Sequence, residues 1–142
     1  MSKFLRYFID TNIFVYAYDT SAGEKHKKAN DLIKKLWQDD NGCVSIQVLQ
    51  EFFVITTQKA LTPLPVNEVI EIISDITFWR VHSPTALDIL ETIDIKNKYV
   101  LSFWDAMIVL SAKRLHCKIL FTEDLNHSQF YEGIKVINPF ID

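Results

Sequence analysis

The stretch FIDTNIFVYA, Phe8 to Ala17, decides the fold. Its first residues continue an apolar run that starts at Leu5 and reads as a strand. Asp10, Thr11 and Asn12 then pass the chain to a helical pattern through Phe14 and Tyr16. Strand, polar turn and helix make the opening of a β-α unit, and the alternation recurs. Further strand candidates lie at Cys43 to Ser45, Arg80 to His82, Lys118 to Phe121 and Lys135 to Ile137. Short β-rich runs separated by longer helical patterns predict an α/β fold, a parallel sheet covered by helices on both faces.

The helices follow from spacing. Ala29, Leu32, Ile33, Leu36 and Trp37 form one apolar stripe, with Lys27, Lys28, Lys34 and Lys35 on the opposite face. After Pro63 and Pro65 a second stripe runs Val66, Val69, Ile70, Ile73, Ile76. Ser83 is the expected N-cap of a third helix, with Pro84 in its first turn. The segment Phe103 to Leu115 is apolar nearly all round and should be the most buried helix. Asp19 to Glu24 reads as the loosest region and Asp39 to Gly42 as a turn.

A chain of 142 residues, 49% hydrophobic, can bury a full core, so one domain over residues 1–142 is expected. A net charge of −3 excludes a generally basic nucleic-acid binder while leaving room for a local basic surface. Cys43 and Cys117 sit in apolar contexts without metal-ligand spacing and read as buried free thiols of a reducing compartment. No run reaches membrane-spanning length, which points to the cytoplasm.

Four acids interrupt or follow apolar stretches: Asp10 in FIDTN, Glu51 in VLQEFF, Asp105 in SFWDA and Asp124 in FTEDL. A carboxylate in such surroundings needs hydrogen bonds, an opposite charge or a cation. Each has a plainer reading. Asp10 can cap a helix, Ser102 to Asp105 has capping-box spacing, and Asp124 can serve a turn. Glu51 lies at the margin of a core face, three residues from Val48 and four from Ile55, which is harder to explain structurally.

Their joint position argues for chemistry. In a doubly wound sheet the site lies at the carboxyl ends of the strands, where strand order reverses. Asp10 and Asp124 leave two strand ends, Glu51 lies early in a helix leaving a third, and Asp105 joins them if its helix points its N-terminus at the same crevice. Converging carboxylates demand a hard cation, Mg²⁺ or Mn²⁺, and such sites direct water at phosphodiesters. Other chemistries find little support. The chain has no G-x-S-x-G elbow and no Gly-rich phosphate loop, its four histidines are scattered, and Asn12 stands where an aspartyl-phosphate motif wants a second Asp.

Together FIDTNIFVYA, SIQVLQEFF, LSFWDAMIVLSA, LFTEDL and VINPF resemble PIN-domain ribonucleases, specifically the VapC-type toxins of toxin–antitoxin operons, over almost the whole chain. The resemblance implies a three-layer α/β/α fold around a five-stranded parallel sheet. It also implies a Mg²⁺- or Mn²⁺-dependent endoribonuclease that acts on RNA, forms a homodimer and is inhibited by a cognate antitoxin protein. Carried over by position, Asp10, Glu51, Asp105 and Asp124 are the catalytic, metal-binding acids, supported by Thr11, Asn12 and Thr122. The alternative is a catalytically silent PIN-fold module that binds RNA or protein. Lys27, Lys28, Lys34 and Lys35 are candidate RNA contacts, as are Lys113 and Arg114, although a solvated face is the commoner explanation for such lysines. Phe14, Tyr16 and Tyr18 could stack on bases or receive an antitoxin helix, with core packing expected for at least two. The apolar Val66 to Ile76 segment suggests a face too hydrophobic for a soluble monomer.

Overall fold

Five of the apolar runs pair in parallel, and the helices between them bury the two faces of the sheet that results. The computed structural model describes residues 1–141. In chain order the elements are β1 (Tyr7–Ile9), α1 (Thr11–Ala17), α2 (Glu24–Asp39), β2 (Gly42–Ser45), α3 (Ile46–Val54), α4 (Val66–Ile76), β3 (Arg80–His82), α5 (Ala86–Tyr99), α6 (Phe103–Arg114), β4 (Ile119–Phe121), β5 (Phe130–Tyr131) and β6 (Ile134–Ile137). A π-helical turn, Ile55–Lys59, continues α3. No helix among the described residues is long and apolar enough to cross a membrane.

The sheet order is β3-β2-β1-β4-β6-β5. The first five strands are parallel as expected, but a sixth, β5, adds antiparallel to the edge strand β6. This corrects the five-stranded sheet. Glu132 and Gly133 both take positive φ, 51° and 79°, which closes β5 and β6 into a tight hairpin. Two residues of strand inside a polar stretch leave no periodicity to read. The helices pack in two groups, α1 on α2 and α3, and α5 on α6, the two-sided cover that right-handed crossovers give a parallel sheet. Strand order reverses between β1 and β4, in register through Tyr7↔Ile119, Phe8↔Leu120 and Ile9↔Phe121.

The core matches the stripes in outline. Phe8, Phe14, Leu36, Phe52, Leu110 and Leu120 are fully buried, each contributing about 1.5–3 kcal/mol of transfer free energy. As expected, α6 is the most enclosed helix, buried without interruption from Ala106 to Ala112. Two stripes differ in detail. On α4 the buried residues are Val69, Ile72 and Ile76, whereas Val66 and Ile70 face outward. On α2 Trp37 is exposed, yet its ring edges onto buried Trp79 at 5.5 Å. The Asp19 to Glu24 segment holds a 3-10 turn capped by the Asp19 side chain. Cys43 and Cys117 are free, buried and hydrogen-bonded to each other, which lowers the Cys43 thiol and raises that of Cys117.

Thr85, not Ser83, caps α5, and Pro84 precedes the helix instead of entering it. The reason is Asp88, which completes a reciprocal capping box with Thr85 (Asp88 N to Thr85 Oγ1 3.3 Å, Thr85 N to Asp88 Oδ2 2.9 Å). Asp88 also accepts from Arg114 Nε at 2.9 Å and lies 3.1 Å from His82 Nε2, while His82 Nδ1 meets Ser111 Oγ at 2.8 Å. The Thr85 amide first, then Arg114 and His82, hold the Asp88 carboxyl down at about 2. Ser111, His82 and Asp88 are aligned like a nucleophile, base and acid, but Ser111 is 0% exposed inside α6, so the network fastens α6 to α5 and β3.

Gly42 illustrates how tightly β2 is packed. A Cβ there would stand 2.5–2.8 Å from the Trp79 ring, and that ring is confined by Phe14 and Trp37. Gly42→Ala therefore lowers the denaturant-derived stability by about 1–3 kcal/mol, the usual cost of overpacking. An unchanged midpoint would mean that Trp79 can move aside.

Candidate functional site

The reversal between β1 and β4 opens a crevice at the carboxyl ends of the strands, and the sequence places polar residues at that spot on each neighbouring element. Asp10 is the N-cap of α1, with extended backbone (φ −77°, ψ 162°), and its own amide donates to Phe121 O at 3.0 Å, tying the two strand ends together. Its Oδ1 accepts from the Thr11 amide at 2.7 Å and its Oδ2 from Thr122 Oγ1 at 2.8 Å. So the capping reading is correct as geometry, yet it accounts for one carboxylate oxygen only. Asp10 is 5% exposed. Burial pushes its carboxyl up to about 7, with the charges of Asp124 and Glu51 adding to the rise and the Thr122 and Thr11 hydrogen bonds opposing it.

Thr11 links Asp10 to the next acid. Its hydroxyl donates to Glu51 Oε2 at 3.1 Å, and Gln47, one turn earlier on α3, donates to Glu51 Oε1 at 2.8 Å. The same Gln47 amide donates to Trp104 O at 3.3 Å. This second bond draws the N-terminus of α6, and Asp105 with it, toward Glu51. At α6 only half a capping box forms. The Asp105 amide donates to Ser102 Oγ at 3.1 Å, but the Asp105 carboxylate does not return the bond to the cap as Asp88 does in α5.

Asp124 follows β4 by three residues. Asn12 Nδ2 donates to its Oδ2 at 3.0 Å, and its amide donates to Thr122 Oγ1 at 3.0 Å. Burial raises its carboxyl first, then the charge of Asp105, with smaller contributions from Glu123 and Glu51 that the Asn12 bond offsets. Thr122, fully buried, therefore bridges Asp10 and Asp124 with one hydroxyl. Of the seven positions singled out in the sequence, Asp10, Thr11, Asn12, Glu51, Thr122 and Asp124 are linked by hydrogen bonds into one set, and Asp105 joins it through its charge, which is felt at Asp124.

The donor set suits a hard cation. Every acid offers oxygen only, and two further carbonyl oxygens, Asn12 Oδ1 and Gln47 Oε1, are buried without a hydrogen-bond partner. Their amide nitrogens are fixed by the carboxylates they donate to, so these oxygens remain available. Among the described residues no group of three or more His, Cys, Asp or Glu side chains is placed to hold a metal ion by itself. An ion here would have fewer carboxylate ligands and would keep several of its own waters, as Mg²⁺ does.

Other candidates fall elsewhere. Lys27 and Lys34 are exposed on the outer face of α2, and Lys35 pairs with Asp39 at 3.1 Å. Lys113 pairs with Glu132 and Glu91, and Arg114 with Asp88 and Glu91, so both are engaged in holding α5, α6 and the hairpin together. Phe14 is core, and Tyr18 edges onto Phe52 at 5.8 Å. Tyr16 reaches the rim of the crevice, its hydroxyl donating to Glu123 Oε1 at 2.6 Å, with Lys25 bound to Glu123 at 3.0 Å and over the Tyr16 ring. The sequence reading missed Gln47, Glu123 and Lys25. Gln47 carried a signal, since it lies four residues before Glu51 on the same helix.

Several solved structures share the fold. A toxin–antitoxin complex from Klebsiella pneumoniae superposes with a TM-score of 0.69 at 17% identity, covering 94% of this chain and 97% of that one. FitAcB from Neisseria gonorrhoeae gives 0.66 at 17% identity, covering 94% and 98%. VapC20 of Mycobacterium tuberculosis, a toxin that cleaves the sarcin–ricin loop, gives 0.62 at 17% identity, covering 83% and 89%. At such identity the likeness concerns the fold. No curated protein matches the sequence significantly. The PIN domain family model, however, matches residues 7–133, which include all four acids. The chain belongs to the PIN-domain family.

Proposed function

We propose that the protein is a metal-dependent endoribonuclease, the toxin of a type II toxin–antitoxin pair acting in the cytoplasm. The observation that carries this reading is the linking of Asp10, Glu51 and Asp124 at the switch point through Thr11, Thr122 and Asn12, with the charge of Asp105 felt at Asp124. Mg²⁺ or Mn²⁺, when bound, supplies water activation and charge neutralisation at a phosphodiester. The chain's own part is positional. Thr122 and the Thr11 amide fix both oxygens of Asp10, Thr11 and Gln47 fix both oxygens of Glu51, and Asn12 orients Asp124. Low exposure of Asp10 and Thr122 keeps bulk water from the inner wall of the site. Solved toxin–antitoxin complexes of the same fold support an antitoxin partner.

The test is cleavage of structured RNA by purified protein. Activity appears with Mg²⁺ or Mn²⁺, stops with chelator and returns with added metal. Cleavage that persists in excess EDTA rules the reading out.

A homodimer is part of the proposal. Leu87 and Leu90 on α5 are 75% and 61% exposed, an outward apolar pair on one helix that a second copy could cover. Light scattering gives a dimer mass for the protein alone. A monomer mass over a wide concentration range counts against it.

A further inference from the structure

A polyanion cannot approach four carboxylates without cations along its path, and five of the fifteen basic side chains are already held by acids of the fold. Lys25 is bound to Glu123, Lys35 to Asp39, Lys98 to Glu132, and Lys113 and Arg114 to their own acids. Lys59 differs. It is exposed and, among the described residues, has no carboxylate within ion-pair reach. It also lines a cavity of about 320 Å³ together with Gln50, Glu51, Val54 and Ile55.

That cavity runs along one continuous helical face. Glu51, Ile55 and Lys59 recur every four residues across the junction of α3 and the π-helical turn. Wide turns of this kind are uncommon and concentrate at functional sites. Here the turn is stabilised locally, with Thr56 and Thr57 hydroxyls donating to Phe52 O and Phe53 O at 2.7 and 2.6 Å. Lys59 thus lies eight residues, about two helical turns, beyond Glu51. One end of the cavity is an acid of the metal-site set, the other an unpaired cation, and the wall between is apolar with one amide.

We propose that this cavity seats one nucleotide of single-stranded RNA beside the scissile phosphate, with Lys59 holding its phosphate, Val54 and Ile55 packing its base, and Gln50 reading the base edge. The assignment rests on the nuclease reading above. A base needs an apolar surface and an amide-like partner, and its phosphate needs a cation; the cavity offers all three and opens directly onto Glu51. The adjoining cavity of about 430 Å³, walled by Leu49, Phe53 and Ile73, has no charged residue and lacks the phosphate partner, so the assignment does not extend to it.

The experiment measures binding of a short mixed-sequence single-stranded RNA by fluorescence anisotropy over a range of salt, in an Asp10→Asn background with Mg²⁺ so that the probe stays intact. Removing one phosphate contact reduces the slope of log affinity against log salt by about 0.7 for a single strand. Lys59→Ala shows that reduction across all sequences, Lys59→Arg restores the slope, and Lys118→Ala, an exposed lysine preceding β4, leaves it unchanged. Gln50→Ala keeps the slope and flattens base preference at one position. An unchanged slope in Lys59→Ala overturns the proposal while leaving the nuclease reading intact. Normal RNA binding by Ile55→Glu also overturns it. Absence of any RNA affinity in the parent protein overturns both.

Discussion

Asp10→Asn removes metal-dependent RNA cleavage, a loss of at least about 10²–10³-fold by comparison with deletion of a single transition-state electrostatic partner, while raising the stability of the metal-free protein at neutral pH. The two effects have one origin. Asp10 is nearly inaccessible, and burial together with the charges of Asp124 and Glu51 lifts its carboxyl to about 7. An unfolded chain releases that proton near pH 4. The folded, metal-free protein therefore holds one proton more than the unfolded chain between about pH 4 and pH 7, and stability falls as pH rises through that window. The full shift corresponds to up to about 4 kcal/mol. Asparagine has no charge to release, so Asp10's share of the slope in this window disappears. A bound cation has the opposite effect on the wild type, because it favours the ionised carboxylate and offsets the penalty. Denaturant midpoints at pH 5 and pH 7.5, with and without Mg²⁺, read all of this. Equal pH slopes for wild type and variant would show that Asp10 is ionised normally and that the site is more open than its burial indicates.

How much of this was legible in the sequence depends on the range of the interactions. The parallel sheet and the placement of three acids followed from local patterns: short β-rich runs, helical stripes, and acids at strand ends such as Asp10 after Ile9 and Asp124 after Phe121. The seven candidate positions were readable because each lies in a short motif. The edge hairpin was not readable, since Phe130 and Tyr131 become a strand only by pairing with Tyr131's partner Ile134 and its neighbour Lys135. The start of α5 was misplaced because Ser83-Pro84 is a good local start signal, and only Asp88, bonded at once to Thr85, His82 and Arg114, makes Thr85 the better one. The role of Gln47 was hidden for a similar reason. Its bond to Glu51 is local, but its bond to Trp104 spans 57 residues and is what brings α6 to the crevice. The lysines of α2 were visible as a charged face, whereas Lys59 is defined by a cavity and by the absence of a counter-charge, neither of which one sequence displays.

Asp105→Asn separates the structural from the chemical reading at the acid whose plain explanation was strongest. Were the Asp105 carboxylate half of a capping box, the substitution would weaken the start of α6. In the fold the capping bond is made by the Asp105 backbone amide to Ser102 Oγ, which asparagine leaves in place. The carboxylate's charge is instead felt at Asp124, where it stands second only to burial in raising that group. Replacing it with a neutral amide relieves this repulsion, so the metal-free stability changes by less than about 1 kcal/mol, the ordinary scale of a cap. The metal response is where the loss appears. A hard cation binds a carboxylate far better than an amide oxygen, so Mg²⁺ raises the denaturant midpoint of the wild type and much less that of the variant, and cleavage falls with it. Both measurements are needed, because a destabilised helix would also reduce activity but would lower the midpoint without metal. Near-normal cleavage with an undiminished Mg²⁺ effect in Asp105→Asn would remove Asp105 from the site and leave Asp10, Glu51 and Asp124 as its acids.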